Sequence, residues 1–289
     1  MATNKYNFIP YGKQHVDKKD IVEVSKSLKE KLITTGNYVF NLERQIEKKL
    51  QAKHAVTCTS GTAALHLSFL SLGIKKGDIV IMPSINFISS YSLCKMLNAR
   101  IYLADVDKKT GQITPETLND CIKKNKIKKI KLIITMYLGG YPRNLREIYN
   151  FKKKYNCYLI EDACHALGAS YKIKNRKRFI GSNDYSDICI FSLHPLKTIT
   201  SGEGGIITTK NKDIFNKIKL LRSHGILRNS KKHWQYDVIM PGFNYRLSDI
   251  NCALAYSQFK KIDKFITYRK KIFLEYKKNL SKIKNLSII

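Results

Sequence analysis

Three short runs of this sequence bring together residue types that can share one piece of chemistry. Thr59-Ser60-Gly61-Thr62-Ala63-Ala64 runs into a predicted helix. Ser60 can cap that helix, Gly61 lets a ligand approach the backbone, and Thr62 offers a hydroxyl. The free N–H groups of a helix start attract anions, so a phosphate would be held there. Taken alone, the run is equally satisfied by an ordinary helix cap. Glu161-Asp162-Ala163-Cys164-His165 closes an apolar segment. A carboxylate in that place can cap the next helix, bind a metal, or pair with a protonated pyridine nitrogen; no further carboxylate or histidine cluster at ligand spacing supports the metal. Phe191-Ser192-Leu193-His194-Pro195-Leu196-Lys197 leads into Ser201-Gly202-Glu203-Gly204-Gly205. An amine at Lys197, between an apolar strand and a glycine-rich turn, is expected to be partly desolvated and so better placed to act as a nucleophile. A single lysine in so lysine-rich a chain is by default solvated. What sets Lys197 apart is the order phosphate nest, carboxylate, lysine.

The elements that must position these runs follow from periodicity. Ile21, Val24, Leu28 and Leu32 predict an amphipathic helix over 18–31, and Leu42, Ile46 and Leu50 a second one. Strands are expected at 55–59, 79–82, 100–104, 131–136, 157–161, 187–192 and 205–209. Helices are expected at 62–72, 87–97, 114–123, 145–155, 212–222 and, as one long element, 248–279. Thr114 and Pro115 mark a helix start. Short apolar strands alternating with helices predict an α/β fold with a mostly parallel, buried sheet. Ligands of such sheets gather at the carboxyl ends of the strands, where the three runs lie.

Composition narrows the class. The chain has 289 residues, enough for a large domain with a sizeable core or for a large domain plus a small one. No apolar stretch reaches the roughly eighteen residues of a membrane span, and Met1 to Pro10 lacks the apolar centre of a secretory signal, so a cytoplasmic location is expected. Seven cysteines are scattered without a Cys-x-x-Cys pair, which reads as small buried hydrophobes rather than a zinc or redox site. Lys plus Arg total 53 against 22 acidic residues, a net charge of +31. Alone, this suggests an anionic partner. The lysines run along the whole chain with no aromatic-basic RNA motif, so they read as solvated surface and nucleic acid is not an expected partner.

The ordered set of motifs resembles the DegT/StrS family of pyridoxal-phosphate (PLP) sugar aminotransferases, which have the aspartate aminotransferase type I fold. The resemblance runs from Ile9-Pro10-Tyr11-Gly12 to the terminal helix. It is carried by Thr34-Thr35-Gly36, Ser60 to His66, Glu161 to Ala166, Phe191 to Lys197, Gly202 to Gly205, Arg222-Ser223-His224-Gly225 and Gly242-Phe243-Asn244-Tyr245-Arg246.

The resemblance implies roles. Lys197 would hold PLP covalently and then shuttle a proton. Asp162 would pair with the pyridine nitrogen, and His165, where the family often has glutamine, would face the ring hydroxyl. Gly61, Thr62 and Ser192 would hold the phosphate, and Phe87 would stack on the ring. Asn244 would reach the phosphate of a neighbouring subunit, implying a homodimer with shared sites. Relatives that act as dehydratases carry histidine in place of the lysine, and Lys197 argues against that reading. Residues 161–171, 191–205 and 222–226 look most like the pseudaminic acid branch. Its members aminate a UDP-linked 4-keto-6-deoxy sugar with glutamate as donor, releasing 2-oxoglutarate; the perosamine, bacillosamine and lipid A branches share much of the pattern. Family members continue into a small C-terminal domain. The chain is therefore expected to divide into a large domain over 1–250 and, over 251–289, a long helix with the start of an incomplete small domain. An inactive, truncated binding protein is the competing reading, and the Asp162–Lys197 pair argues against it.

Overall fold

The computed structural model describes residues 10–228, 234–284 and 286; Ile9, Asn285 and residues 287–289 lie outside them. The strands in chain order are β1 (His54–Cys58), β2 (Ile79–Pro83), β3 (Arg100–Ala104), β4 (Leu132–Met136), β5 (Tyr158–Asp162), β6 (Ser170–Ile173), β7 (Arg176–Phe179), β8 (Ile188–Ser192), β9 (Gly205–Thr209), β10 (Ile226–Arg228) and β11 (Tyr236–Val238). Seven of them form one sheet in the order β1-β9-β8-β5-β4-β2-β3. β3, β2, β4, β5 and β8 are parallel, and β9 runs against both β8 and β1. The expected mostly parallel sheet is thus present, with one reversed strand. β6–β7 and β10–β11 are separate two-stranded ribbons.

The helices are α1 (Lys18–Ser27), α2 (Asn37–Leu50), α3 (Gly61–Ser71), α4 (Ser89–Met96), α5 (Pro115–Lys124), α6 (Leu145–Tyr155), α7 (Lys212–Arg222), α8 (Asp249–Lys260) and α9 (Ile262–Leu280). They cover both faces of the sheet. Leu65, Leu67 and Phe69 of α3 pack with Val80, Ile160 and Ile190 on one face. On the other, Leu42, Ile46 and Leu50 of α2 pack with Phe191, Leu193 and Ile206. Burial on both faces explains why β4 is apolar at nearly every position rather than alternating. α3 is apolar on all sides because α4, α7 and the sheet enclose it. α5 begins as expected, with Thr114 and Thr117 forming a capping box ahead of Pro115.

α1 corrects the sequence reading. The residues it buries are Asp20 and Ser27, while Ile21, Leu28 and Leu32 are each more than half exposed. Asp20 accepts hydrogen bonds from Ser257 Oγ at 2.6 Å, Gln258 Nε2 at 2.6 Å and Lys261 Nζ at 2.7 Å. The helix docks on α8 through this polar set, and hydrophobic periodicity points at the opposite face. The same contacts account for a second correction. The single helix expected over 248–279 is broken at Lys261, whose side chain is pulled onto Asp17 at 2.9 Å and Asp20 at 2.7 Å. Its backbone N–H bonds to Gln258 O, one residue short of the α-helical partner, and α9 starts afresh. The β6–β7 hairpin was not anticipated. Lys174 and Asn175, both at positive φ, form its tight turn within a run of basic residues that hides the alternation.

α2 begins without a cap of its own, because Gly36 occupies the N-cap position. Asp249, fully buried at the start of α8, supplies the missing acceptor: its carboxylate takes the N–H groups of Gly36 (2.8 Å), Tyr38 (2.9 Å) and Val39 (3.4 Å). Thr34 forms a bridge with Ser248 alongside. The Thr34-Thr35-Gly36 motif is therefore where the N-terminal helices are fastened to α8. Among the described residues, no helix is long and apolar enough to cross a membrane, and no group of three metal-binding side chains occurs.

Candidate active site

The carboxyl ends of β1, β5 and β8 open onto one edge of the sheet, into a cavity of about 980 Å³. Its wall includes Gly61, Thr62, Phe87, Asp162, His165, Ser192 and Lys197, all singled out in the sequence. Asn244 is not part of this wall; it is exposed, in an isolated bridge with Ser223.

The β1 end of the cavity is a helix start. Ser60 is extended, and its Oγ accepts the Ala63 N–H at 3.0 Å, while its carbonyl accepts that of Ala64 at 3.0 Å. The N–H groups of Gly61 and Thr62 remain for a ligand at the positive end of α3. Sheet register brings the other half of this cradle. Gly205 of β9 pairs with Cys58 on one side and with Ser192 on the other, so Ser192 stands beside the Ser60 loop. A Cβ on Gly205 would lie 2.2 Å from the Ser60 carbonyl oxygen, so only glycine permits this approach. Gly205→Ala is expected to push the Ser60 loop away and weaken affinity for a phosphate-bearing cofactor by about tenfold or more, since misplacing a helix-start anion site loses charge-assisted bonds. Equilibrium titration of the cofactor checks this, and an unchanged dissociation constant would contradict the cradle.

Asp162 and Glu161 are separated by strand alternation. Glu161 points into the protein, where Tyr137 Oη–H donates to it at 2.7 Å and Ser186 Oγ–H at 2.9 Å. Burial pushes its carboxyl up. Asp162 lines the cavity although it is only 3% exposed. The Cys164 N–H donates to Asp162 Oδ1 at 3.1 Å. Burial raises the Asp162 carboxyl, and the Cys164 thiol and amide and the charge of Lys197 pull in the other direction. A buried carboxylate facing a cavity is stabilised by a cation brought into that cavity. His165 is reached by solvent, yet the partial burial of its ring and the charge of Lys197 lower its pKa, favouring the neutral imidazole. Cys164 departs from the expectation for the cysteines: the other six are buried, whereas it is half-exposed in the cavity wall.

Lys197 lies five residues beyond β8, in a turn that the Gly202 to Gly205 run folds back on itself. Leu193 N–H donates to Gly204 O (2.8 Å), Ser201 N–H to Leu193 O (3.0 Å), and Lys197 N–H to His194 O (2.9 Å). Asn251 of α8 closes the turn from outside, its Nδ2 donating to Ser201 O at 2.7 Å. Lys197 is half-buried and close enough to Asp162, Cys164 and His165 to act on all three electrostatically. The sequence reading missed several wall residues, among them Tyr11, Lys13 and Arg269. They come from parts of the chain far from the three motifs; Tyr11 belongs to the Ile9-Pro10-Tyr11-Gly12 run, and no local pattern announces Lys13 or Arg269.

The donor set fits PLP. One end of the cavity offers helix-start N–H groups with the hydroxyls of Thr62 and Ser192. The inner wall offers a buried carboxylate for a pyridine nitrogen. Lys197 stands between them, and the Phe87 ring, 69% exposed in this chain, forms part of the wall. A Cβ on Gly61 would sit 3.0 Å from Ser192 Cβ and 3.4 Å from Cys164 Sγ, so the glycine keeps the cradle open.

Comparison with known proteins agrees with this geometry. Residues 14–289 match the model of the DegT/DnrJ/EryC1/StrS aminotransferase family. A Campylobacter jejuni protein, UDP-4-amino-4,6-dideoxy-N-acetyl-beta-L-altrosamine transaminase, is 39% identical over 95% of this chain and 70% of its own length. Among solved structures, Helicobacter pylori PseC, an aminotransferase involved in the biosynthesis of pseudoaminic acid, superposes with a TM-score of 0.85 at 26% identity, covering 95% of this chain and 71% of that one. A Streptococcus pneumoniae chain described as a sugar aminotransferase, solved in PMP and PLP forms, superposes with TM-scores of 0.85 and 0.84 at 25% and 26% identity; the matches cover 95% and 96% of this chain and 73% and 72% of that one. With the phosphate cradle, the buried carboxylate and the strand-end lysine in one cavity, the chain belongs to the DegT/DnrJ/EryC1/StrS aminotransferase family, enzymes that transfer amino groups to sugars with pyridoxal phosphate.

Proposed function

We propose that this chain moves an amino group from glutamate to the 4-keto carbon of UDP-4-keto-6-deoxy-N-acetyl-L-altrosamine, in pseudaminic acid biosynthesis. The observation that carries the chemistry is the meeting of Lys197, Asp162 and the Gly61–Thr62 helix start in one cavity. The names of the Campylobacter and Helicobacter relatives support the choice of sugar. PLP supplies an electrophilic carbonyl and a ring that accepts an electron pair. Lys197 would hold the cofactor through its amine and would carry a proton to and from the reacting carbon. Asp162 keeps a proton on the pyridine nitrogen. His165 would face the ring hydroxyl, Phe87 would stack on the ring, and Gly61, Thr62 and Ser192 would hold the phosphate.

Two copies complete the unit in this reading. Asn244, exposed and outside its own cavity, serves the partner's phosphate, and the apolar stripe of Ile21, Leu28 and Leu32 gives the second copy a surface to cover. Residues 1–250 form the cofactor domain. Residues 251–289 begin the second domain, with Ile262 the one buried residue of α9 among those described. A nucleotide-linked substrate and free glutamate place the work in the cytoplasm.

The test is the visible spectrum of the chain with PLP, before and after glutamate, followed by mass analysis of the product formed from the UDP-keto sugar. Conversion of the spectrum and appearance of the amino sugar are expected. Conversion without amination, while a different UDP-keto sugar is aminated, would move the substrate. No conversion with glutamate would sink the proposed reaction for this chain.

A further inference from the structure

Arg269 brings a guanidinium from α9 to the cavity wall, far in sequence from every motif of the site. Its Nη2–H donates to the backbone carbonyl of Lys197 at 2.9 Å. Among the described residues that carbonyl is its one polar partner, and no carboxylate pairs with it. A guanidinium carries five N–H donors in a planar fork. One edge is fixed by a neutral acceptor, and the remaining donors have no protein partner among the described residues. Arg269 is itself exposed, so its charge is not an unanswered burial. The bond fixes the fork beside the residue whose amine does the chemistry.

Lys13 adds a second cation to the same wall and likewise has no polar partner among the described residues. The other cationic or imidazole groups of the wall are committed. Lys197 is the reacting amine. His165 is held towards its neutral form, and His194 turns Nδ1 to the Leu196 N–H at 3.5 Å. An amino donor with two carboxylates is matched by a cation near the lysine, and a guanidinium can meet a carboxylate with two parallel N–H bonds. We infer that Arg269 determines donor specificity by receiving a carboxylate of glutamate, with Lys13 as the second cation, while its bond to the Lys197 carbonyl keeps that carboxylate beside the reacting amine. The inference rests on the proposed transamination. It goes beyond it in naming the group that selects a dicarboxylate donor.

The test is calorimetric titration of glutarate, a five-carbon dicarboxylate that cannot react, into the chain with and without PLP. Wild type, Arg269→Gln and Arg269→Lys are compared, with UDP as a parallel titrant. Arg269→Gln is expected to weaken glutarate about tenfold or more, the usual weight of a charge-assisted pair, and Arg269→Lys to fall between. UDP affinity and PLP loading stay unchanged. In single turnovers with glutamate, Arg269→Gln raises the half-saturating concentration by a larger factor than it lowers the limiting rate. Unchanged glutarate affinity in Arg269→Gln overturns the inference. So does a loss confined to UDP, which would assign the guanidinium to the nucleotide diphosphate, and so does a wild-type chain that does not bind glutarate. Arg269-dependent glutarate binding without any reaction with glutamate would sink the transamination and leave the anion site standing.

Discussion

Lys197→Ala is expected to lower turnover by at least about 10³-fold, because one change removes both the amine that holds the cofactor and the group that moves the proton. The variant should still take up PLP, since the Gly61 and Thr62 N–H groups, Ser192 and Asp162 are untouched. Binding becomes reversible. After borohydride reduction the wild-type chain should keep the cofactor through dialysis and denaturation, and the alanine variant should release it. Lys197→Arg separates charge from nucleophilicity. It keeps a cation near Asp162, but a guanidinium stays protonated and cannot attack a carbonyl. It should be as inactive as the alanine variant. Multiple turnovers by either variant would show that the lysine of this turn is not the reacting group, and the assignment of the cavity would fall with it.

The largest loss of stability is expected far from the chemistry. Asp249→Ala removes a fully buried acceptor of three backbone N–H groups at the first turn of α2. Those donors would be left buried without partners, the favourable interaction with the helix dipole would go, and a cavity would form. Together these effects cost about 3–4 kcal/mol. Asp249→Asn keeps one acceptor oxygen and should cost about 1–2 kcal/mol. Denaturant midpoints of the three chains check the order. Because Leu42, Ile46 and Leu50 of α2 pack behind Phe191 and Leu193, loosening this helix also loosens the base of the Lys197 turn. A change of less than about 0.5 kcal/mol in Asp249→Ala would show that the N-terminal helices are not fastened in this way.

How far the sequence revealed the molecule differs from part to part for physical reasons. The cavity was legible because strands buried on both faces are short and uniformly apolar, which fixes their ends, and ligand-binding residues lie just beyond those ends. Gly61, Asp162 and Lys197 were singled out that way, and Ser192 came with the family resemblance. α1 was misread because the sequence shows hydrophobic spacing but not partners. Asp20 is buried only because Ser257, Gln258 and Lys261 meet it from some 240 positions away. The break at Lys261 has the same origin, an ion pair that no local pattern contains. The β6–β7 hairpin was hidden by the basic residues on its solvent-exposed strands, and its turn lacks glycine. Arg269 was unreadable because a surface arginine on a basic helix looks like its neighbours until the fold lays it on the Lys197 carbonyl. The Glu161–Asp162 pair shows the limit from the other side. Spacing placed two carboxylates at a strand end, and alternation across the sheet decides which of them meets the ligand.

The place of β9 has a consequence for synthesis. β1 carries the phosphate loop and, among the described residues, stands at the sheet edge with β9 as its one strand neighbour. A growing chain therefore exposes the Ser60 loop long before residues 205–209 exist to brace it. At about 5–20 residues per second, the wait lasts roughly seven to thirty seconds. During that interval β1 is an unpaired edge, open to wrong neighbours and to chaperones, and no amount of free cofactor can give it its proper seat. When β9 arrives it sets Cys58 and Ser192 on either side of Gly205 in a single step, so the two halves of the phosphate cradle come into being together. Cofactor loading on the ribosome should therefore be all or none, switching on only after the ninth strand has emerged.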